Sequence, residues 1–307
     1  MKTIRSDVLG FCSGVRLAVK SALDALDLEG AERKPKKIYS LGPLIHNQRA
    51  LSDLSEKGLL ILQENEIDSL DKDCAVIVRA HGVSPLVLER VKERGAKIVD
   101  ATCPRVALSQ RRAAELSSKG FYVILAGDKD HAEVKAVEGS ALFAAEKAGV
   151  HKDLDGSGGK CPFFLVQNAE EARAFESFAQ MESKTALLSQ TTFSRPEFEK
   201  IAAALSSKIK GLQIFDSICP ATSERQEALV DLSKKVDALV VVGGKKSANS
   251  ARLFELAKSL CARSYFVESP DDLPKDFGGV NLVGLTAGAS SPDFVIDQVE
   301  KKILELV

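Results

Sequence analysis

Three of the six cysteines occupy the same kind of place, and that placement sets the chemistry to look for. Cys103 lies in Asp100-Ala101-Thr102-Cys103-Pro104. There the apolar run Lys97-Ile98-Val99 hands over to a helical pattern over residues 106–119, closed by Gly120 as a natural C-cap. Cys219 repeats the frame: Asp216, two residues, then Cys219-Pro220, between an apolar stretch at 212–215 and a helical one at 221–236. Cys12 follows the run 3–9 and precedes Val15-Arg16-Leu17-Ala18-Val19 and a helix-like segment at 21–28. The free N–H groups and dipole of a helix N-terminus favour thiolates and anions. A cysteine outside a disulfide is often just a small buried apolar side chain. Cys74, Cys161 and Cys261, outside the frame, are expected to be packing residues of that kind. Three cysteines at matching strand–helix junctions suit the thiolate ligands of an iron–sulfur cluster.

Polar residues gather at the same kind of junction. His46, His81, His131, Thr191, Thr192, Ser247, Asn249 and Ser290 all follow predicted strands, and they include three of the four histidines. With backbone N–H groups at helix N-termini, such donors suit a diphosphate. The phosphate-loop pattern GxxxxGK[ST] is absent. An isolated Ser or Asn in such a position is more often a cap, and Ser84 before Pro85 and Ser194 before Pro196 are read that way. The fourth histidine, His151, lies beside a glycine-rich stretch at 154–160 and is expected on a solvated surface loop. Glu133, two residues after His131, has two readings. It is an ordinary first-turn acid, or a proton donor in a partly desolvated pocket.

The elements that would position these groups alternate. Residues 1–103 read strand, helix, strand, helix, strand, helix, strand; buried strands follow at 121–126, 163–166, 185–188, 238–242 and 280–285. The three cysteines recur about every hundred residues, a common size for an α/β unit. The expected domains are 14–103, 104–218, and 219–307 together with 1–13. Each is a parallel-sheet α/β unit with a cysteine at the carboxyl end of a strand, where such folds collect ligands. The 307 residues carry a net charge of −1, so bulk electrostatics argue for neither nucleic acid nor membrane partners. With no Trp there is little for bases to stack on. No apolar run approaches a membrane span and Met1 leads straight into Lys2-Thr3-Ile4-Arg5, so a cytoplasmic location is expected. Six cysteines in a reducing compartment point to metal or redox chemistry.

The motifs together resemble one family over nearly the whole chain, the 4-hydroxy-3-methylbut-2-enyl diphosphate reductases of the non-mevalonate isoprenoid pathway. They are Gly10-Phe11-Cys12-Ser13-Gly14-Val15, His46-Asn47, Ala80-His81-Gly82-Val83-Ser84, Asp100-Ala101-Thr102-Cys103-Pro104 and His131-Ala132-Glu133-Val134. Gln190-Thr191-Thr192, Cys219, Arg225-Gln226-Glu227-Ala228, Ser247-Ala248-Asn249-Ser250 and Thr286-Ala287-Gly288-Ala289-Ser290 complete the set. The resemblance implies three α/β domains in a trefoil-like, pseudo-threefold arrangement around a central cluster. It implies a 4Fe-4S cluster on Cys12, Cys103 and Cys219, with a fourth iron that binds the substrate hydroxyl. It places His46, His81, His131, Ser247, Asn249 and Ser290 around the substrate, chiefly its diphosphate. Glu133 and Thr191 fall near the leaving hydroxyl, with His131 in the catalytic group. Isopentenyl and dimethylallyl diphosphate would be the products, and a ferredoxin or flavodoxin the electron donor.

Some positions depart from the family pattern. Ala132 replaces a usual proline, Ala248 a second serine, and Glu224-Arg225-Gln226 the usual Asn-Arg-Gln, while the stretch near Gly156 resembles an insertion. These changes bear on substrate affinity more than on the reaction. Two other classes fit the cysteines alone. One is an iron–sulfur hydro-lyase using an open iron as a Lewis acid on a small phosphorylated substrate. The other is a binding protein with a zinc on three Cys and one His. The summed motifs favour the reductase.

Overall fold

The structure is a computed structural model describing residues 1–27, 35–150, 162–176, 181 and 184–306. His151, the glycine-rich stretch and Cys161 lie outside the described residues. In chain order the first elements are β1 (Lys2–Arg5), α1 (Ser13–Leu26), β2 (Lys37–Leu41), α2 (Gln48–Glu56), β3 (Leu59–Leu62), β4 (Cys74–Val78), α3 (Pro85–Glu93) and β5 (Lys97–Asp100). Then come α4 (Pro104–Ser118), β6 (Tyr122–Ala126), α5 (Ala132–Ala148), β7 (Phe163–Val166), α6 (Ala169–Ala174), β8 (Thr185–Ser189), α7 (Arg195–Ser206) and β9 (Gln213–Ile214). The last are α8 (Pro220–Ser233), β10 (Ala238–Val242), α9 (Ala248–Leu260), β11 (Ser264–Val267), β12 (Leu282–Ala287) and α10 (Asp293–Glu305).

Two compact units result. One comprises Met1–Lys34, Pro43–Ile61 and Pro220–Val307. Its sheet runs β1-β12-β10-β11, all parallel, so the amino-terminal strand pairs with the last one, Lys2 opposite Leu282 and Arg5 opposite Leu285. The core on one face of this sheet is Val240, Val242, Leu285, Ile296 and Val299. Leu239, Val241, Leu229 and Leu253 fill the other face.

The other unit comprises Pro35–Gly42 and Leu62–Cys219 and holds two sheets. One has the order β3-β2-β4-β5, the other β7-β6-β8-β9. Every residue of β4, β6 and β8 is buried, as expected of central parallel strands covered on both faces. Helices α4 and α5 pack along each other. The Gln110 side chain fixes their relation: its Nε2 donates to Val83 O at 2.9 Å, Ala136 O at 3.3 Å and Ser140 Oγ at 3.1 Å.

The α/β alternation follows the sequence expectation, with three differences. β3 and β11 are additional strands: β3 exposes its two middle residues and β11 is a half-buried edge strand, so neither reads as a buried run. The first strand stops at Arg5, and α1 begins directly after Cys12 rather than near residue 21. Its buried stripe is Gly14, Ala18, Ala22 and Ala25, side chains too small to signal a helix by hydrophobicity. Ser84 caps α3 by accepting from Val87 N, whereas Ser194 stands at the start of α7 without a side-chain cap bond. Among the described residues, no helix is long and apolar enough to cross a membrane.

Candidate active site

In the two-sheet unit the proposed site residues meet at the carboxyl ends of the strands. His131 is the N-cap of α5, and its Nδ1 accepts from Glu133 N–H at 3.2 Å. In the neutral ring the proton is therefore on Nε2. Glu133 lies in the first turn of α5 yet is 1% exposed. Its Oε1 accepts from Thr191 N–H at 2.6 Å and its Oε2 from Thr191 Oγ at 2.8 Å. The surface reading of Glu133 is thereby replaced by a buried, doubly bonded carboxyl. Thr191 follows β8 and is held in turn by Cys219, whose N–H donates to Thr191 O at 2.8 Å. Gln190 is fully buried, with Oε1 accepting from Asp128 N–H at 2.8 Å and Nε2 donating to Thr192 Oγ1 at 2.8 Å. These bonds fix the turn that presents Thr191.

His81 follows β4, and its ring stands edge-on to His131 with centroids 5.3 Å apart. Cys103 caps the start of α4, and its N–H donates to Ala80 O at 3.0 Å, tying it to the loop that carries His81. In this unit Cys103, Cys219, His81, His131, Glu133 and Thr191 are thus linked through main-chain and side-chain contacts.

The other unit gathers a second set. Cys12 is the N-cap of α1, and its N–H donates to Ala289 O at 3.1 Å. Buried Arg225 of α8 fixes the same loop: its Nη1 donates to Ala287 O at 2.7 Å and its Nη2 to Gly10 O at 3.0 Å. Ser290 Oγ donates to His46 O at 3.2 Å. Gly244, after β10, lies so close to His46 that any Cβ there would overlap the His46 carbonyl. Ser247 caps α9 by accepting from Ser250 N–H at 3.3 Å. Two residues on, Asn249 is buried, and among the described residues its Nδ2, closed off from water, has no acceptor. That amide is a donor awaiting a partner, as a group lining an anion site would be. The strand ends of β10 and β12 therefore bring His46, Ser247, Asn249 and Ser290 together, beside Cys12.

Cys12, Cys103 and Cys219 are thiols and each is partly buried. The sulfurs of Cys12 and Cys103 make no cap bond to their own helices. Thiol side chains placed at helix starts fit the chemistry of metal ligation. Cys74 is different: burial pushes its thiol up, and its Sγ donates to Asp71 Oδ1 at 3.3 Å, as befits a packing residue.

A family model described as LytB protein matches residues 4–304. The chain belongs to the LytB family. A relative from Treponema denticola, named 4-hydroxy-3-methylbut-2-enyl diphosphate reductase, is 43% identical over 305 residues, covering 98% of each chain. One of the same name from Caldanaerobacter subterraneus subsp. tengcongensis is 36% identical over 307 residues, covering 100% of this chain and 98% of its own. A solved structure of (E)-4-hydroxy-3-methyl-but-2-enyl diphosphate reductase, described as the terminal enzyme of the non-mevalonate pathway, is 33% identical with a TM-score of 0.67, covering 99% of this chain and all of that one. The Plasmodium falciparum E-1-hydroxy-2-methyl-but-2-enyl-4-diphosphate reductase has the same fold, with a TM-score of 0.83 at 24% identity over 99% of this chain and 87% of its own. The family and the α/β fold expected from the motifs are those found.

The departures from the LytB pattern now have places. Ala132 and Ala248 are the first residues of α5 and α9, each following its N-cap. Glu224 is exposed on α8 while its neighbour Arg225 is buried. The roles of Arg225, Gln110 and Gln190 do not follow from residue type or spacing. Arg225 stands in a quoted motif, but its carbonyl partners lie more than sixty residues away in the chain, and no spacing rule reaches them.

Proposed function

We propose that the chain reduces 4-hydroxy-3-methylbut-2-enyl diphosphate to isopentenyl and dimethylallyl diphosphate. The overall change consumes two electrons and two protons; one hydroxyl leaves as water and one hydrogen is added to carbon. Cys12, Cys103 and Cys219 would hold the 4Fe-4S cluster. Bound there, a cluster with one iron lacking a protein ligand supplies electrons and a Lewis-acid site for the substrate hydroxyl. A ferredoxin or flavodoxin in the cytoplasm would provide the electrons. Domains bounded at 14–103, 104–218 and 219–307 plus 1–13 are supported by the sheets, each of which draws all its strands from one of those ranges.

The residues of the chain supply binding and protons. His46, Ser247, Asn249 and Ser290 surround the diphosphate with neutral donors, joined by His81 and by Nε2–H of His131. Glu133 holds the proton that must accompany the hydroxyl, because hydroxide is a poor leaving group. In its protonated form Glu133 Oε2 donates to Thr191 Oγ, whose own hydrogen is then turned toward the leaving oxygen. Thr191 can do this because a hydroxyl donates and accepts at once. One observation carries the reading: Glu133 is bonded twice to Thr191, and Thr191 O accepts from the N–H of a proposed cluster ligand, Cys219.

The decisive test is anaerobic turnover of the hydroxylated allylic diphosphate by reconstituted protein with a one-electron reductant. Formation of the two isoprenoid diphosphates is expected. A protein that holds its cluster yet leaves the substrate intact overturns the proposal.

A further inference from the structure

Two arginines, one in a strand-end loop and one in α8, make opposite use of their charge. Arg225 is buried and bonded to main-chain carbonyls. Arg79, the residue after β4 and two before His81, is half-buried, and among the described residues no hydrogen bond or ion pair reaches its guanidinium. Its Nε is closed off from water with no acceptor. The guanidinium lies against Gly42, just after β2, with Nη1 nearest. A Cβ on that glycine would come within 2.5 Å of Nη1 and 3.2 Å of Cζ, and its φ of +72° is one that glycine adopts without strain. Burial outweighs the field of the exposed Glu64 and holds the Arg79 pKa below its usual value. Arginine nevertheless stays charged in proteins, so the cation persists and must be compensated. Buried charges are normally paired, and a planar fork suits phosphate oxygens in particular.

We infer that Arg79 is an anion-binding residue of the site, whose counter-ion is the substrate's diphosphate arriving at the carboxyl end of β4 beside His81. The inference rests on the proposed function and adds a cation to a binding set otherwise made of neutral donors. Such a residue is held against stability: its charge is unpaired until the ligand comes. Replacement should therefore weaken ligand binding without weakening the ligand-free fold, the opposite of what a structural arginine does.

The test uses the anaerobic, cluster-loaded protein, with inorganic pyrophosphate as the probe in calorimetry and the allylic diphosphate in steady-state kinetics. Arg79→Met and Arg79→Gln are expected to bind pyrophosphate about 10- to 150-fold more weakly, the cost of one charge-assisted hydrogen bond. KM should rise correspondingly, and Arg79→Lys should recover part of the loss. The unfolding midpoint of the ligand-free variants should equal or exceed that of the parent. Pyrophosphate affinity within about two-fold of the parent overturns the inference. So does a midpoint that falls together with affinity, or a failure of both variants to fold, since either makes Arg79 structural. A parent protein that does not reduce the allylic diphosphate would instead sink the proposed function itself.

Discussion

Glu133 and Thr191, 58 residues apart in sequence, are joined by two hydrogen bonds, from the Thr191 N–H at 2.6 Å and from its hydroxyl at 2.8 Å. Glu133→Gln can keep both contacts, its carbonyl accepting from the N–H and its amide donating to the hydroxyl, but it has no proton to give. Cluster content and substrate binding should survive while single turnover of pre-reduced protein slows by about 10²–10⁴. Turnover at the parent rate would falsify the assignment of Glu133 as donor.

Cys103→Ser, Cys12→Ser and Cys219→Ser should each lose iron and sulfide on anaerobic reconstitution, whereas Cys74→Ser and Cys261→Ser should keep them. Elemental analysis and the visible spectrum read the result. Zinc in place of iron would point to the binding-protein class weighed from the sequence.

His46→Ala and His81→Ala should weaken the allylic diphosphate by about 10-fold or more each, by loss of a hydrogen bond to a charged group. Calorimetry on cluster-loaded protein measures this directly. Normal binding in both variants would place the diphosphate elsewhere.

Arg225→Met leaves the carbonyls of Gly10 and Ala287 without their donor. A loss of about 2 kcal/mol or more in unfolding free energy is expected. The variant should also lose cluster more readily than the parent, because the loop of Cys12 is what Arg225 holds. Chemical denaturation and the rate of iron release to a chelator test the two halves separately.

The surface offers a pH-dependent case. Arg5 of β1 bonds Glu300 and Asp297 of α10, and the hydrogen bond from Arg5 holds the Glu300 carboxyl below its usual range. A depressed carboxyl stabilises the fold above its unfolded pKa and loses that contribution as pH falls through the folded one. Glu300→Gln should therefore cost up to about 1 kcal/mol at neutral pH. The difference from the parent should vanish well below about pH 4. Denaturation curves at several pH values decide it.

How far the sequence reaches depends on whether a contact is local. Central strands such as β6 and β8 are continuous apolar runs because both faces are covered, and they read directly. The strand–Cys–helix frame is equally local, and so are the caps at Asn47, Ser84 and Ser247. What stayed hidden is non-local or half-exposed. β3 turns its middle residues to solvent, and the partner of Glu133 lies in another element. Arg79 and Arg225 look alike in composition, yet Arg225 donates to main-chain carbonyls through both terminal nitrogens, while among the described residues Arg79 makes no such bond. That distinction exists only once the chain is folded.

The pairing of β1 with β12 has a consequence for biosynthesis. Cys12 is made well before the residues that fix it: its N–H is bonded to Ala289 O and its loop to Arg225. At a ribosomal rate of about 5–20 residues per second, the amino-terminal segment waits tens of seconds or less for the strand that completes its sheet. Until then the first thiol has no fixed geometry to offer. If Cys12 is a cluster ligand, metal loading through it waits until β12 and the loop of Ala289 have been made, so a factor delivering iron and sulfide would act after the sheet holding β1 has closed.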